Sequence, residues 1–189
     1  MPERPPNIKV LTVCTGNICR SPMAEAFLQT KFDSRGIDAE VSSAGLLFSG
    51  RKAAKETIEI MSTKGFDLSG HRSRILDEVD LYDLDLIVGM TKEHVREIVV
   101  MSPALWPVTF TLKGLVASAR NIGPRNSGEP LLDWLNVIGE TRTKADLLGA
   151  DLSEDIVDPY DLGPDTFLQV ADEIDELTSQ AVKYIAGTN

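Results

Sequence analysis

The sequence has little cysteine, little histidine and no long apolar run. Its 189 residues include two cysteines, Cys14 and Cys19, so a framework of structural disulfides is excluded. The two histidines, His71 and His94, lie far apart, and the cysteines lack a recognised ligand spacing, so we expect neither a metal site nor a cofactor. No apolar run approaches the roughly 20 residues that span a bilayer, and the opening MPERPP is polar, unlike a signal peptide. We therefore expect a cytoplasmic protein.

Positive charge is also scarce. Lysine and arginine number 19 against 29 acidic residues, which gives a net charge of −10. This balance argues against a nucleic-acid surface, because the phosphate backbone attracts clustered positive charge. It still permits a local basic rim around a site. The length suits one domain with a substantial core.

A strand, a short loop and a helix start follow one another near the amino terminus. Residues 8–13 (IKVLTV) are aliphatic and β-branched, as in a strand buried on both faces of a parallel sheet. Ser21 and Pro22 are typical of a helix N-cap and first helical position. Backbone N–H groups of the intervening loop can converge on an anion, and the helix dipole favours negative charge there.

Two side chains of this loop suit chemistry at phosphorus. Cys14 opens the loop, where a helix N-terminus stabilises the reactive thiolate. Arg20 closes it with a planar fork that matches two phosphate oxygens. A Cys-x5-Arg spacing also arises by chance, and Cys14 could be a buried thiol at the end of a strand. The position between strand and helix favours a phosphate monoester as substrate.

The rest of the chain alternates between strand and helix patterns, which indicates an α/β sheet. In such a sheet, ligands bind beyond the carboxyl ends of the strands, where Cys14 lies. Further strands are predicted at residues 40–43, 84–89 and 107–112, and helices at 53–64, after Thr91, and at about 165–186.

Residues 14–25 (CTGNICRSPMAE) resemble the signature of the low-molecular-weight protein tyrosine phosphatases, whose fold is shared with thioredoxin-coupled arsenate reductases. The similarity continues through 42–45 (SSAG), 67–74 (DLSGHRSR) and 158–160 (DPY). It implies one α/β domain with a central four-stranded parallel sheet flanked by helices, and a phosphate-binding loop after the first strand.

The resemblance implies a role for each matching residue. Cys14 would be the nucleophile that forms a phosphocysteine, Arg20 the phosphate clamp, and Asp158 the general acid. One carboxyl can serve both steps, since it protonates the leaving oxygen and later deprotonates water. The implied substrate-binding residues are Thr15, Gly16, Asn17, Ile18, Cys19, Ser21, Phe48 and Tyr160.

Several finer features also come from the resemblance. Ser21 would hydrogen-bond the thiolate, and Asn17 would hold the loop through a strained backbone and a contact with Ser43. Cys19 could form a reversible disulfide with Cys14 that protects it from overoxidation. His71 would support the loop, whereas His94, expected on the exposed start of a helix, is given no role.

The sequence departs from the family pattern in two places. Residues 113–157 are longer than the core fold needs and predict a helical insertion; Trp134 could pack on the domain, with Leu135, or belong to a lid or partner surface. After Gly45, where many members carry Trp or Tyr, Phe48 either walls the pocket or lies in the core. Tyr160 either lines the pocket or is partly buried without a role.

We expect hydrolysis of phosphotyrosine in proteins, with a phosphotyrosine-containing protein or a small aryl phosphate as partner and no nucleic acid or membrane. Arsenate reduction is an alternative that would need an external thiol, because both cysteines lie in the loop. Hydrolysis of phosphoarginine in proteins is a second alternative. Protein arginine phosphatases have a loop that resembles this one but carry Thr where this chain has Ile18. A noncatalytic phosphate-binding module is disfavoured, because binding alone would not require Cys14, Arg20 and an acid together.

Overall fold

A four-stranded parallel sheet forms the centre of the molecule, as the computed structural model shows for residues 7–187. The opening MPERPP, on which part of the localisation argument depends, lies outside the described residues. The strands stand in the order β2-β1-β3-β4, so the first strand is central, and the predicted α/β class is confirmed. They are β1 (Ile8–Cys14), β2 (Ala39–Gly45), β3 (Leu86–Gly89) and β4 (Thr109–Thr111).

The carboxyl ends of all the strands meet along one edge of the sheet. Cys14 pairs with Gly45 at the end of β2, Val13 pairs with Gly89 at the end of β3, and Gly89 pairs with Thr111 of β4. The loop that follows Cys14 therefore opens where parallel sheets collect ligands.

Helices cover both faces of the sheet. On one face, Val10, Val88 and Phe110 share a core with five helices, which span Arg20–Ser34, Lys55–Thr63, Leu112–Ile122, Leu131–Ile138 and Pro164–Ala186. On the other face, Leu11 and Ile87 pack against the helix Lys92–Met101 and short 3-10 turns. The helices are α1 (Arg20–Ser34), α2 (Lys55–Thr63), α3 (Lys92–Met101), α4 (Leu112–Ile122), α5 (Leu131–Ile138) and α6 (Pro164–Ala186).

Two predicted boundaries are wrong for identifiable reasons. Ser21 is not an N-cap: α1 begins at Arg20, Cys19 occupies the cap position, and the Ser21 side chain is buried towards the Cys14 thiol. The fourth strand is shorter than residues 107–112, because Pro107 has no N–H to donate and lies in the 3-10 turn Pro103–Val108.

Residues 113–157 contain most of α4, all of α5 and the 3-10 turn Lys144–Leu147. Trp134 and Leu135 of α5 are buried, which agrees with the packing interpretation. The Trp134 indole N–H donates to the Gly123 carbonyl over 3.2 Å, which fixes α5 against the end of α4. That this region is an insertion remains a prediction.

We predict that Trp134→Ala lowers the free energy of unfolding by about 3–5 kcal/mol, because it leaves a cavity and an unpaired carbonyl. Leu132→Ala on the same helix is the control: Leu132 is 50% exposed, and its loss should change the free energy by about 0.5 kcal/mol or less. Urea denaturation measures both. Equal effects of the two substitutions would show that α5 is not anchored through Trp134.

Candidate active site

The Cys14 thiol lies at the centre of a set of hydrogen-bond donors. The Asn17 backbone N–H donates to Cys14 Sγ over 3.2 Å, and Ser21 Oγ lies 3.0 Å from the same sulfur. Ser21 Oγ also accepts a hydrogen bond from Asn17 Nδ2, and its own proton has two acceptors, the sulfur at 3.0 Å and the Ala44 carbonyl at 3.4 Å. Both donors can stabilise negative charge on Cys14.

Asn17 ties the loop to its surroundings. Its backbone is left-handed, with a φ of 52°, and its side chain is fully buried. Nδ2 donates to Ser21 Oγ and to Ser43 Oγ, each over 2.8 Å, while Oδ1 accepts the backbone N–H of Arg74 over 2.9 Å. The Asn17 carbonyl lies 2.7 Å from His71 Nε2. These contacts match the loop-supporting geometry that the resemblance implied for Asn17 and His71.

Gly45 lets the loop lie directly against the end of β2. A Cβ atom at this position would be 2.8 Å from the Asn17 nitrogen and 2.9 Å from the Gly16 carbonyl carbon. Both are backbone atoms and could not move aside without deforming the loop. Only glycine permits this approach.

Arg20 and Asp158 meet although they are far apart in sequence. Arg20 is 3% exposed; its Nη1 donates to the Ile156 carbonyl over 3.0 Å, and its Nη2 donates to Asp158 Oδ2 over 2.5 Å. Arg20 Nε is buried and has no partner among residues 7–187. An unpaired N–H on a side chain that lines the same pocket as Cys14 is suited to a phosphoryl oxygen.

The loop that carries Asp158 is attached to β3 and α3. The Ile156 N–H donates to the Met90 carbonyl over 2.9 Å, and Asp155 Oδ1 accepts the Lys92 backbone N–H over 2.8 Å. Lys113 Nζ donates to the Asp155 carbonyl over 2.9 Å. These bonds bring the carboxyl to the pocket.

The pocket above the thiol encloses about 250 Å³. Ile18, Phe48 and Tyr160 line it, so the aromatic wall alternative agrees with the structure for Phe48. Asn17 and Ser21 lie behind the loop rather than in the pocket wall. Sequence reasoning missed Leu47 and Arg51. The predicted residues that line the pocket are Cys14, Thr15, Gly16, Ile18, Cys19, Arg20, Phe48, Asp158 and Tyr160.

His94 corrects a prediction, because it is 1% exposed rather than at the surface. The Thr91 N–H donates to His94 Nδ1 over 3.0 Å, so the ring proton is on Nε2, which donates to Thr15 Oγ1 over 3.0 Å. Burial, with a smaller effect from the charge of Arg20, lowers the pKa of His94 to about 3. His94 is therefore a neutral support for the loop. The sequence did contain a signal for this inward position. His94 comes three residues after the helix cap Thr91, and in a capping box the side chain at that position bonds back to the cap residue.

Cys19 differs from Cys14 in its surroundings. It is 3% exposed, and burial raises the pKa of its thiol to about 12, although the polar side chain of Thr57 opposes the shift. Cys19 therefore stays protonated at neutral pH, and only Cys14 has the donors that a thiolate needs.

Among residues 7–187, no three or more His, Cys, Asp or Glu side chains are grouped so as to hold a metal ion. No helix in the same range is both long and apolar enough to cross a membrane.

We predict that His94 makes the protein less stable in acid. The pKa of His94 is near 3 when folded and about 6.5 when unfolded. Between these values the unfolded state binds more protons, so the free energy of unfolding falls as pH falls. From pH 7 to pH 5 this group should remove about 2 kcal/mol. His94→Gln, which can still donate to Thr15, should lose correspondingly less than the wild type in urea denaturation. Identical pH slopes would contradict a buried neutral His94.

Comparison with known proteins gives a consistent result. The model of the family described as "Low molecular weight phosphotyrosine protein phosphatase" matches residues 9–119. A protein-arginine-phosphatase of Bacillus subtilis (strain 168) is 28% identical over 177 residues, which covers 93% of this chain and 95% of that protein.

Solved structures agree over nearly the whole chain. A low molecular weight protein tyrosine phosphatase from T. tengcongensis superposes with a TM-score of 0.69 at 30% identity, over 92% of this chain and 97% of that one. A cysteine-to-serine mutant of the YwlE arginine phosphatase, with a phosphorylated active-site serine, has a TM-score of 0.70 at 27% identity and covers 93% of each chain.

Proposed function

We propose that this chain, which belongs to the low molecular weight phosphotyrosine protein phosphatase family, hydrolyses phosphotyrosine in proteins and also accepts small aryl phosphates. As a member of that family it is a hydrolase and a protein phosphatase. The observation that carries the specific proposal is that Cys14, Arg20 and Asp158 line one pocket whose walls include the aromatic residues Phe48 and Tyr160.

The first step forms a phosphocysteine. Cys14 Sγ attacks phosphorus, the bond from phosphorus to the tyrosine oxygen breaks, and Asp158 gives its proton to that oxygen. Arg20 and the loop N–H groups hold the nonbridging oxygens as charge shifts in the transition state. The phosphorylated serine that replaces cysteine in the YwlE relative supports a covalent intermediate.

The second step returns the enzyme to its starting state. Water attacks phosphorus, the bond between sulfur and phosphorus breaks, and Asp158 takes the proton from water. Orthophosphate leaves and Cys14 is again a thiolate, held by the Asn17 N–H and by Ser21.

Substrate binding has to open the contact between Arg20 and Asp158. In the free protein Asp158 Oδ2 accepts a hydrogen bond from Arg20 Nη2 over 2.5 Å. A phosphoryl dianion carries more charge than a carboxylate and fits the same fork, so it displaces Asp158 from Arg20. The Asp158 side chain, 47% exposed at the pocket mouth, can then take up a proton from solvent and give it to the leaving oxygen.

The walls of the pocket favour tyrosine over arginine. Ile18 and Phe48 offer apolar surface to a phenyl ring. The Arg51 guanidinium lies 3.6 Å from the centre of the Phe48 ring, so the positively charged guanidinium of phosphoarginine would meet a like charge. Arginine dephosphorylation is the second candidate, because the chain matches the Bacillus subtilis arginine phosphatase over 93% of its length.

The proposed reaction requires Cys14 to stay reduced, which favours the cytoplasm. We also propose that mild oxidation joins Cys14 to Cys19 reversibly. The raised pKa of Cys19 makes it a slow attacking thiol. Arsenate reduction would need a thiol from outside the chain, since the sequence has no third cysteine.

The direct test compares a phosphotyrosine peptide, a phosphoarginine protein, and arsenate with a small thiol. We expect hydrolysis of the phosphotyrosine peptide with the highest kcat/KM, and we expect Cys14→Ser to abolish turnover while orthophosphate still binds, because a hydroxyl is a far weaker nucleophile than a thiolate. Release of phosphate from phosphoarginine alone would replace tyrosine by arginine as the substrate. Turnover by Cys14→Ser would refute covalent catalysis through Cys14.

The role of Asp158 is tested by varying the leaving group. Asp158→Asn should slow phosphotyrosine about 10² to 10⁴-fold, because the phenolate needs a proton. An aryl phosphate whose leaving group is already stable as an anion should be slowed far less and should still give a burst of leaving group. Asp161→Asn, on the same loop, is the control and should affect both esters alike. If Asp158→Asn slowed the hydrolysis of both esters equally, Asp158 would be required for folding of the loop and would not be the general acid.

A further inference from the structure

A second cavity adjoins the catalytic pocket. It encloses about 470 Å³ and shares the lining residues Ile18, Arg51 and Tyr160 with the pocket. We call it the accessory cavity. Its remaining wall comes from residues before and at the start of α2, from the loop before α6 and from α6 itself, and consists of Lys52, Ala54, Lys55, Glu56, Asp161, Gly163 and Phe167.

Three cationic side chains line the accessory cavity, and two of them lack an acidic partner among residues 7–187. Lys55 has a carboxylate nearby, Glu59 at 3.5 Å. Within residues 7–187, neither Arg51 nor Lys52 forms an ion pair with an acidic side chain, and both are exposed. The wall also includes two carboxylates, so its excess of positive charge is small. A local excess of positive charge nevertheless contrasts with the net charge of the whole chain, which is −10.

Arg51 is held in place before any ligand arrives. Its N–H donates to Ser73 Oγ over 3.0 Å, and its carbonyl accepts the Ser73 N–H over 2.7 Å. Its guanidinium stacks on Phe48, the wall of the catalytic pocket. A stacked guanidinium keeps its edge N–H groups free for a carboxylate and loses little side-chain freedom on binding one.

The start of α2 adds weaker positive character. The cap residue Ala54 has no side chain that can accept a helix N–H, and its own N–H donates to the Ile18 carbonyl over 2.9 Å. The first N–H groups of α2 therefore lie uncapped beside Lys52 and Lys55, although Glu56 shares that turn. The uncapped N–H groups of α2 add to the positive potential of the cationic side chains, and the proposal depends on those side chains.

We propose that the accessory cavity binds an acidic side chain of the protein substrate close to the phosphotyrosine. An extended chain advances about 3.3–3.6 Å per residue, so the shared wall places that side chain within about three residues of the phosphotyrosine. The substrate class is then phosphotyrosine flanked by Asp or Glu. This inference rests on the proposed phosphotyrosine hydrolysis.

The test uses three phosphotyrosine peptides that differ only in their flanking residues, which are Glu, Gln or Lys within three positions. For the wild type we expect kcat/KM to be on the order of threefold to tenfold higher with Glu than with Gln, lower still with Lys, and the difference to shrink in high salt. Lys52→Gln should reduce the ratio between the Glu and Gln peptides, and Arg51→Gln combined with Lys52→Gln should bring it to about one.

Lys183→Gln is the matched control. It removes the same charge from an exposed position near the far end of α6, and should leave the ratio as in the wild type. Equal kcat/KM for the Glu and Gln peptides in the wild type, or an unchanged ratio in the double variant, would overturn the accessory site. The proposed function stands in both cases, because the Gln peptide is still hydrolysed. Hydrolysis of none of the peptides would overturn both.

Discussion

The active site depends on one buried amide. Asn17 adopts a left-handed backbone that asparagine tolerates better than most residues, and this turn aims its N–H at the Cys14 sulfur. Its side chain then bonds Ser21, Ser43 and the Arg74 backbone, which belong to α1, β2 and the segment before β3. A fully satisfied buried network of this kind is rigid, because any movement would leave a polar group unpaired in a dry interior. The loop is therefore held in one conformation.

Burial also decides which groups in the site are charged. His94 and Cys19 are both titratable and both touch the loop, yet burial lowers the pKa of the first to about 3 and raises that of the second to about 12. Both are neutral at physiological pH. Arg20 remains as the cation of the loop, and it is shared between Asp158 in the free protein and, as proposed, phosphate in the complex. This arrangement avoids a surplus of buried positive charge when no substrate is present.

The Asp158 loop shows how distant parts of the chain complete the site. The family model matches residues 9–119, and Asp158 lies beyond them. Its position comes from hydrogen bonds to Met90 and Lys92, at the end of β3 and the start of α3, and from the bond between Arg20 and the Ile156 carbonyl. Contacts with β3, α3 and Arg20 therefore hold the segment that carries the Asp158 carboxyl.

The sequence by itself determined the local part of this protein. The buried strand, the spacing of Cys14 and Arg20 and the helix after them follow from neighbouring residues, and they predicted a phosphate monoester as substrate. The alternation of strand and helix patterns predicted an α/β sheet, whereas its four parallel strands were predicted from the family resemblance. Asp158 was located through the resemblance of residues 158–160 to the family. Only the tertiary structure decided that Ser21 turns to the thiol instead of capping α1, that His94 is buried against Thr15, and that Arg51 stands between two cavities. These contacts join residues separated by up to 79 positions, and no periodicity or local propensity carries information about which distant side chains will meet.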